Sequence, residues 1–127
     1  MEDAELAYLL EANLKFYEAF STLDIEAMDA IWEPSERTRC MHPGWPLITG
    51  WDGVRQSWDN IFNNTTMMHF IITEAHPVIE GDIGWVDCVE NVTSLVDGRA
   101  TSFAARSTNI FAKSGDRWLM VHHHASP

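Results

Sequence analysis

The chain has 127 residues, 46% of them hydrophobic and 21% charged, a composition typical of one globular domain spanning 1–127. Eight lysines and arginines against nineteen aspartates and glutamates give a formal net charge of −11. Such a surface repels phosphate backbones and anionic bilayers, so we expect neither a nucleic acid nor a membrane as partner. The acidic N-terminus lacks the basic region of a secretory signal, which favours a cytoplasmic location.

Three helices are predicted in the first half of the chain. Residues 4–20 carry apolar side chains at three- and four-residue spacing, which indicates an amphipathic helix. The predicted buried stripe of this helix consists of Leu6, Leu9, Leu10, Leu14, Tyr17 and Phe20. Asp24 is the expected N-cap of a shorter helix that ends at Trp32, before Pro34. A third helix begins at residue 49 or 50 and has one stripe made of Trp51, Val54, Trp58, Ile61 and Phe62.

A stiff crossover separates the second helix from the third. A short strand over residues 38–41 leads into His42-Pro43-Gly44-Trp45-Pro46. Proline fixes φ and removes a backbone donor, so this segment has little conformational entropy left to lose. We therefore expect the crossover to hold His42 and Trp45 at the rim of a cavity.

From residue 67 onward the hydrophobic period changes to two, which predicts strands. We expect strands over 67–75, 76–80, 84–96, 99–113 and 118–125, with turns at 81–82 and 114–116. Asp97-Gly98 is a specific signal for a two-residue hairpin. Three helices followed by antiparallel strands predict an α+β fold, in which helices cover one face of a curved sheet and the resulting cone opens at a ligand site.

Alternation along these strands predicts which side chains face the interior. The inward set is Cys88, Glu90, Ser107, Asn109, Phe111, Val121 and His123. The outward set on the last strand is Trp118, Met120, His122 and His124. Cys40 and Cys88 lie in apolar runs and are expected to be buried and reduced.

Three segments resemble the SnoaL-like group of the nuclear transport factor 2-like superfamily, which includes the ketosteroid isomerases. They are residues 16–28, the crossover with Gly50-Trp51, and the ending at 118–126. The ending is also similar to the association domain of calcium/calmodulin-dependent kinases. The resemblance implies a cone-shaped α+β barrel that forms a homodimer through its outer sheet face. The superfamily contains isomerases, cyclases, dehydratases, binding modules and oligomerisation domains.

The isomerase resemblance implies different catalytic groups in this chain. The oxyanion-donating tyrosine of the isomerases would fall at Phe16, which cannot donate a hydrogen bond. Their general-base aspartate corresponds to His42. Their second, acidic oxyanion donor has no clear counterpart, and Arg106, Ser107 and Asn109 are the nearest polar side chains. Steroid isomerisation by the same machinery is therefore not expected.

We interpret four residues as candidate catalytic groups. His42 has a pKa suited to a general base, and its alternative role is a hydrogen bond to backbone. Glu90 lies among apolar inward residues, where a carboxylate must be paired, protonated or solvated, and pairing with His42 or His123 would create an acid–base couple. Alternatively Glu90 lies at an edge in solvent. Asn109 and His123 would steady a substrate oxygen.

The aromatic residues Tyr17, Trp45, Trp51, Trp58 and Phe111 are predicted to contact a small apolar ligand, with core packing as the alternative. His122 and His124 could chelate a metal, but no ligand set accompanies them, so we expect no metal. No phosphate loop or nucleotide fingerprint is present, and we expect no cofactor. The leading hypothesis is an acid–base enzyme (isomerase, cyclase or dehydratase) acting on an apolar carbonyl compound. The alternative is a non-catalytic ligand-binding or dimerisation module.

Overall fold

The computed structural model describes residues 2–127, which form three helices and six strands. In chain order these are α1 (Glu2–Ser21), α2 (Ile25–Ile31), β1 (Arg39–Met41), β2 (Ile48–Thr49), α3 (Trp51–Asn63), β3 (Met67–Glu80), β4 (Ile83–Val96), β5 (Arg99–Ser114) and β6 (Arg117–Ser126). Over this range no helix combines the length and apolarity that crossing a bilayer requires.

The six strands form one open sheet in the order β2-β1-β6-β5-β4-β3. All neighbouring strands are antiparallel except β1 and β6, which run parallel. α1 contacts β3, β4 and β6, while α2 and α3 pack against each other and against the β1–β6 side of the sheet. The predicted α+β cone, with helices on one face of a mostly antiparallel sheet, is confirmed.

The long hairpin of β4 and β5 follows the sequence prediction closely. Asp97 and Gly98 both have positive φ, 52° and 75°, as a two-residue turn with the twist of the flanking strands requires. Side chains of β4 alternate between the buried inner face and the outer face. This alternation turns Cys88 and Glu90 toward the helices, as predicted.

Two strand predictions need correction. Residues 67–80 form one strand rather than two, because a bulge between Thr73 and His76 keeps the strand paired with β4 across the irregularity. Glu74 takes a left-handed conformation there, with φ of 52°. The short β2 was not predicted, since two residues carry no measurable period.

The predicted outward direction of Trp118 and Met120 is wrong. Both side chains are buried in the core with the helices. The pairing of β5 with β6 shifts between residues 110 and 111, which leaves Val121 without a partner. An extra residue reverses the alternation, so the side chains before the bulge point to the opposite face from the one predicted.

The buried stripe of α1 also differs from the prediction. Leu14 is 59% exposed, whereas Asn13 and Phe16 are almost completely buried. The stripe that faces the sheet is Leu9, Asn13, Phe16, Tyr17 and Phe20. A polar residue therefore occupies a core position of this helix, and the reason lies in the site described below.

Gly84 is the place where β4 comes closest to α1, and we expect Gly84→Ala to be destabilising. A Cβ there would lie 2.9 Å from Cδ2 of the fully buried Leu9. Overpacking of this kind costs about 1–3 kcal/mol of unfolding free energy, measurable by urea denaturation. Leu9→Ala alone also destabilises, but it removes the clash. The double variant should therefore lose clearly less than the sum of the single losses, and strictly additive losses would contradict the predicted contact.

Candidate functional site

The crossover after β1 forms a tight turn that holds His42 inside and Trp45 outside. The amide of Trp45 donates to the carbonyl of His42 at 2.9 Å, and Gly44 has the positive φ, 80°, that this turn requires. The indole of Trp45 is 42% exposed and meets the imidazole of His42 edge-on, with ring centroids 4.9 Å apart. Trp45 therefore covers His42 from the solvent side.

His42 is buried and hydrogen-bonded to a side chain of α3. Its Nε2 lies 2.9 Å from Oγ of Ser57, and the Ser57 hydroxyl lies 2.6 Å from the carbonyl oxygen of Val54. Because that hydroxyl has one proton and donates it to Val54, Nε2 of His42 must be the donor to Ser57. Nδ1 is then the unprotonated nitrogen. Burial lowers the pKa of His42 to about 4, so the ring is neutral at neutral pH.

His123 is a second neutral imidazole, held by Asn109. Its Nδ1 lies 2.6 Å from Oδ1 of Asn109, and an amide oxygen can only accept, so Nδ1 carries the proton. The amide nitrogen of Asn109 donates to Asn13 at 2.8 Å and to the hydroxyl of Tyr17 at 3.0 Å. Burial also lowers the pKa of His123, with a further contribution from His42. The two imidazole centroids are 6.4 Å apart.

Glu90 is paired with a phenol and not with an imidazole. The hydroxyl of Tyr17 donates to Oε2 of Glu90 at 2.6 Å. Burial raises the pKa of Glu90, and hydrogen bonds from Tyr17 and Ser107 offset part of that rise. Burial and the neighbouring carboxylate raise the pKa of Tyr17 well above its ordinary value. The direct pairing of Glu90 with a histidine is not formed, and the solvent alternative is wrong, because Glu90 is 3% exposed.

A continuous chain of hydrogen bonds therefore connects four interior side chains. It runs from Glu90 through Tyr17 and Asn109 to His123, and we call it the polar chain. Glu90, Asn109 and His123 were predicted as site residues and are brought together by it. His42 contacts this group through ring packing only.

The aromatic residues predicted to bind a ligand separate into two groups. Trp58 is fully buried and packs against both imidazoles, with centroids 4.7 Å from His42 and 6.0 Å from His123. Trp51 stacks on Trp32 instead, at 5.7 Å, and Phe111 is a core residue paired with Gly84. Trp45, Trp58 and Tyr17 thus adjoin the candidate catalytic groups, whereas the other two serve packing.

Two buried indoles have unsatisfied donors. The Nε1–H groups of Trp32 and Trp58 have no acceptor within residues 2–127. Each such group costs about 1–3 kcal/mol relative to a hydrogen-bonded one. By contrast, the buried Trp118 donates its Nε1–H to Glu5 at 3.2 Å.

The interior around these groups is filled by side chains. Surface cavities of about 290, 540, 330 and 390 Å³ lie on the part of the chain that the structure describes, and His42, Glu90, Asn109 and His123 line none of these four. One of about 390 Å³, between α1 and β3, reaches Tyr17. The open hollow that the sequence analysis expected beside these residues is therefore not seen in this structure, where all four side chains are buried.

Sequence reasoning missed Asn13 and Ser57. Both are buried and polar, and both lie on the apolar stripes of their helices, at the spacing of Leu9 and Val54. A polar residue on a stripe that otherwise faces the core was the available signal, since it must find a partner inside.

His122 and His124 lie on the face opposite His123, as predicted. Their partners on β1 are Arg39 and Met41. In the part of the chain that the structure describes, no three histidine, cysteine or acidic side chains are grouped so that they could hold a metal ion.

The chain belongs to the SnoaL-like domain family, whose model matches residues 9–127. A solved structure from Streptomyces avermitilis, a candidate dehydratase of the NTF2-like family, is 32% identical with a TM-score of 0.93, covering 100% of this chain and 98% of that one. The association domain of C. elegans CaMKII, at 22% identity and a TM-score of 0.77, covers 99% of this chain and 98% of its own, a likeness of fold alone.

A curated relative is the F-box protein SKIP8 of Arabidopsis thaliana, which is 30% identical over 118 residues. The match covers 93% of this chain but 48% of the relative, so the chain spans about half the length of that protein. The predicted resemblances to the SnoaL-like group and to the kinase association domain are confirmed.

The low pKa of His42 predicts a specific loss of stability in acid. Above the unfolded-state pKa of 6.5 His42 is neutral in both states, and as the pH falls toward 4 only the unfolded chain gains its proton. The contribution lost across this window is about 3 kcal/mol. Urea denaturation at about pH 7 and about pH 4 should therefore show a smaller acid loss for His42→Asn than for the wild type.

The exposed His124→Asn is the matched control and should retain the wild-type loss. An unchanged pH dependence in His42→Asn would contradict the assignment of a buried neutral imidazole.

The bond between Tyr17 and Glu90 should be energetically coupled. Tyr17→Phe removes the closest donor from a buried carboxyl and should lower the unfolding free energy by about 1–3 kcal/mol. Glu90→Gln combined with Tyr17→Phe should show a coupling of about 1 kcal/mol in a double-variant cycle. Tyr8→Phe, at an exposed tyrosine, should stay within about 0.5 kcal/mol of the wild type. Additive losses at residues 17 and 90 would rule out the bond as a stabilising contact.

Proposed function

We propose that the chain is a cofactor-independent acid–base enzyme, of isomerase, cyclase or dehydratase type, acting on an apolar carbonyl compound. The observation that carries the proposal is a neutral imidazole, His42, whose unprotonated Nδ1 has Sγ of Cys40 at 3.8 Å, in the same aromatic interior as a buried carboxyl of raised pKa, Glu90. Environments that separate the pKa values of two titratable groups in this way favour one as base and the other as acid. The dehydratase description of the Streptomyces relative agrees with this reaction class.

His42 is the proposed base. Its Nδ1 would take a proton from a carbon next to the substrate carbonyl, so that the C–H bond breaks and an N–H bond forms. A pKa of about 4 keeps the base unprotonated at neutral pH but makes it weak. The negative charge that develops on the enolate would raise the pKa of the adjacent imidazole, because an opposite charge favours the protonated form.

Glu90 and Tyr17 are the proposed proton source for the substrate oxygen. The raised pKa of Glu90 favours its protonated form, and in that form the carboxyl and the phenol would hold two protons within one 2.6 Å contact. One of these would pass to the oxygen as the carbon loses its own. Asn109 has all its amide groups engaged, so its role would be to fix the orientation and tautomer of His123 rather than to bind substrate directly.

A substrate could reach His42 and Glu90 only if covering side chains moved, because both residues are buried. Trp45 is the proposed cover, since its half-exposed ring is the contact of His42 that lies on the loop between β1 and β2. Displacing residues 43–47 would uncover His42 without breaking a helix or a long strand.

We also propose that the protein is a cytoplasmic homodimer formed through the outer sheet face. That face carries exposed apolar side chains, among them Ile71 at 57% and Val78 at 36%. The relative named as an association domain has the same fold. Most of the acidic residues lie on the helical side, where like charges would oppose contact between two copies.

The test is deuterium exchange into apolar ketones. A panel of tetralones and related cyclic ketones is incubated in D₂O, and loss of the proton next to the carbonyl is followed by NMR. The wild type should accelerate exchange or conversion of at least one member, and His42→Asn should lower kcat/KM about 10²–10⁴-fold, the range for one positioned acid–base group. Glu90→Gln should lower it to a similar extent.

Glu26→Gln, at an exposed position of α2, is the matched control and should retain full activity. Full turnover by His42→Asn would exclude the proposed base. Binding of panel members without any exchange would instead favour the non-catalytic binding module.

A further inference from the structure

We propose that the indole N–H groups of Trp58 and Trp32 bind the acceptor oxygen of an uncharged ligand. The inference rests on the proposed function only for locating a ligand beside His42. The two indoles belong to an aromatic cluster that fills the interior between α1, α3 and the sheet. We define this aromatic cluster as Phe16, Phe20, Trp32 and Trp58.

Both indole donors of this cluster are buried without a hydrogen-bond partner among the described residues. Trp58 is 0% exposed and Trp32 is 1% exposed, and neither Nε1–H has an acceptor in the described chain. Buried indole N–H groups usually have a partner, so two orphans in one cluster point to an acceptor supplied from outside.

The ring of Trp58 packs beside both buried imidazoles. Its ring lies 4.7 Å from that of His42 and 6.0 Å from that of His123. The ring of Trp32 is 6.2 Å from Trp58 on the side of Trp51. The donor of Trp58 therefore belongs to a ring that packs directly on the imidazole proposed to move a proton, and the donor of Trp32 belongs to the next ring of the cluster.

The charges around the aromatic cluster favour an uncharged ligand. None of the eight lysines and arginines is buried, both neighbouring imidazoles are neutral, and Glu90 is the acid inside. A carboxylate or phosphate in this cluster would lose its hydration without meeting a cation, which is unfavourable. A ketone, aldehyde or ester oxygen needs only a neutral donor, and an indole N–H supplies it.

Three naphthalene probes of matched shape test this. Acetylnaphthalene carries a neutral carbonyl, ethylnaphthalene carries none, and naphthoate carries a carboxylate. Titration followed by tryptophan fluorescence gives Kd for each. The wild type should bind the ketone about tenfold more tightly than the hydrocarbon, and naphthoate should bind more weakly than the ketone.

The quantity compared between variants is the ratio of the hydrocarbon Kd to the ketone Kd, because a change in cavity size affects both probes alike. Trp58→Phe should reduce the ratio to about threefold or less, and Trp32→Phe should reduce it by a smaller factor. Trp118→Phe removes a buried indole whose N–H already donates to Glu5, and it should leave the ratio unchanged. In NMR spectra, the indole N–H signals of Trp58 and Trp32 should shift with the ketone and not with the hydrocarbon.

An equal affinity of the wild type for ketone and hydrocarbon, no binding of either, or an unchanged ratio in Trp58→Phe would overturn the inference. Naphthoate binding as tightly as the ketone would overturn the uncharged-ligand part. These outcomes are independent of catalysis, since ketone binding with indole shifts but without deuterium exchange would reject the proposed enzyme and keep the donor site.

Discussion

The hydrogen bonds of Asn109 are the constraint on which the interior of this protein depends. One amide side chain on β5 accepts from His123 on β6 and donates to Asn13 and Tyr17 on α1, and Tyr17 in turn reaches Glu90 on β4. Four elements are thus joined by polar contacts inside an apolar core. Such a network stabilises a single arrangement only when every member has a partner, because each unpaired group would cost more than a bond contributes.

This constraint explains local choices that look unfavourable in isolation. Asn13 occupies a helix position where an apolar side chain would add burial energy, yet it accepts the second hydrogen of the Asn109 amide. On α3, Ser57 is likewise a polar residue at a core position. Its hydroxyl bonds to His42 and fixes which nitrogen of that imidazole carries the proton. The helices therefore contribute apolar surface and, in addition, the partners that set the protonation states of the interior.

The fold could be predicted from the sequence, and so could the inward direction of Glu90, Asn109 and His123, whereas the wrong predictions have physical causes. Period-two alternation was sufficient to place Glu90 and Asn109 inside, because β4 and that part of β5 are regular. It failed for Trp118 and Met120, because one bulge at Val121 reverses direction and leaves no mark in the local pattern. The pairing of Tyr17 with Glu90 joins residues 73 positions apart, and helical spacing alone cannot show which strand residue a phenol meets.

The interior contains titratable groups with shifted pKa values and hydrogen-bond donors without acceptors, and the proposed chemistry depends on these groups. Two imidazoles are kept neutral by burial, a carboxyl has its pKa raised, and two indole donors have no acceptor. Under the proposed function, a neutral molecule whose oxygen becomes negative during reaction would favour the imidazolium, engage the free indole donors and keep the carboxyl protonated. Fixed donors that wait for a charge need no reorganisation when it appears, which is how preorganised sites lower barriers. A ligand that never develops charge would satisfy only the indoles, so the proposed function gives the buried, neutral His42 a role that simple binding would not require.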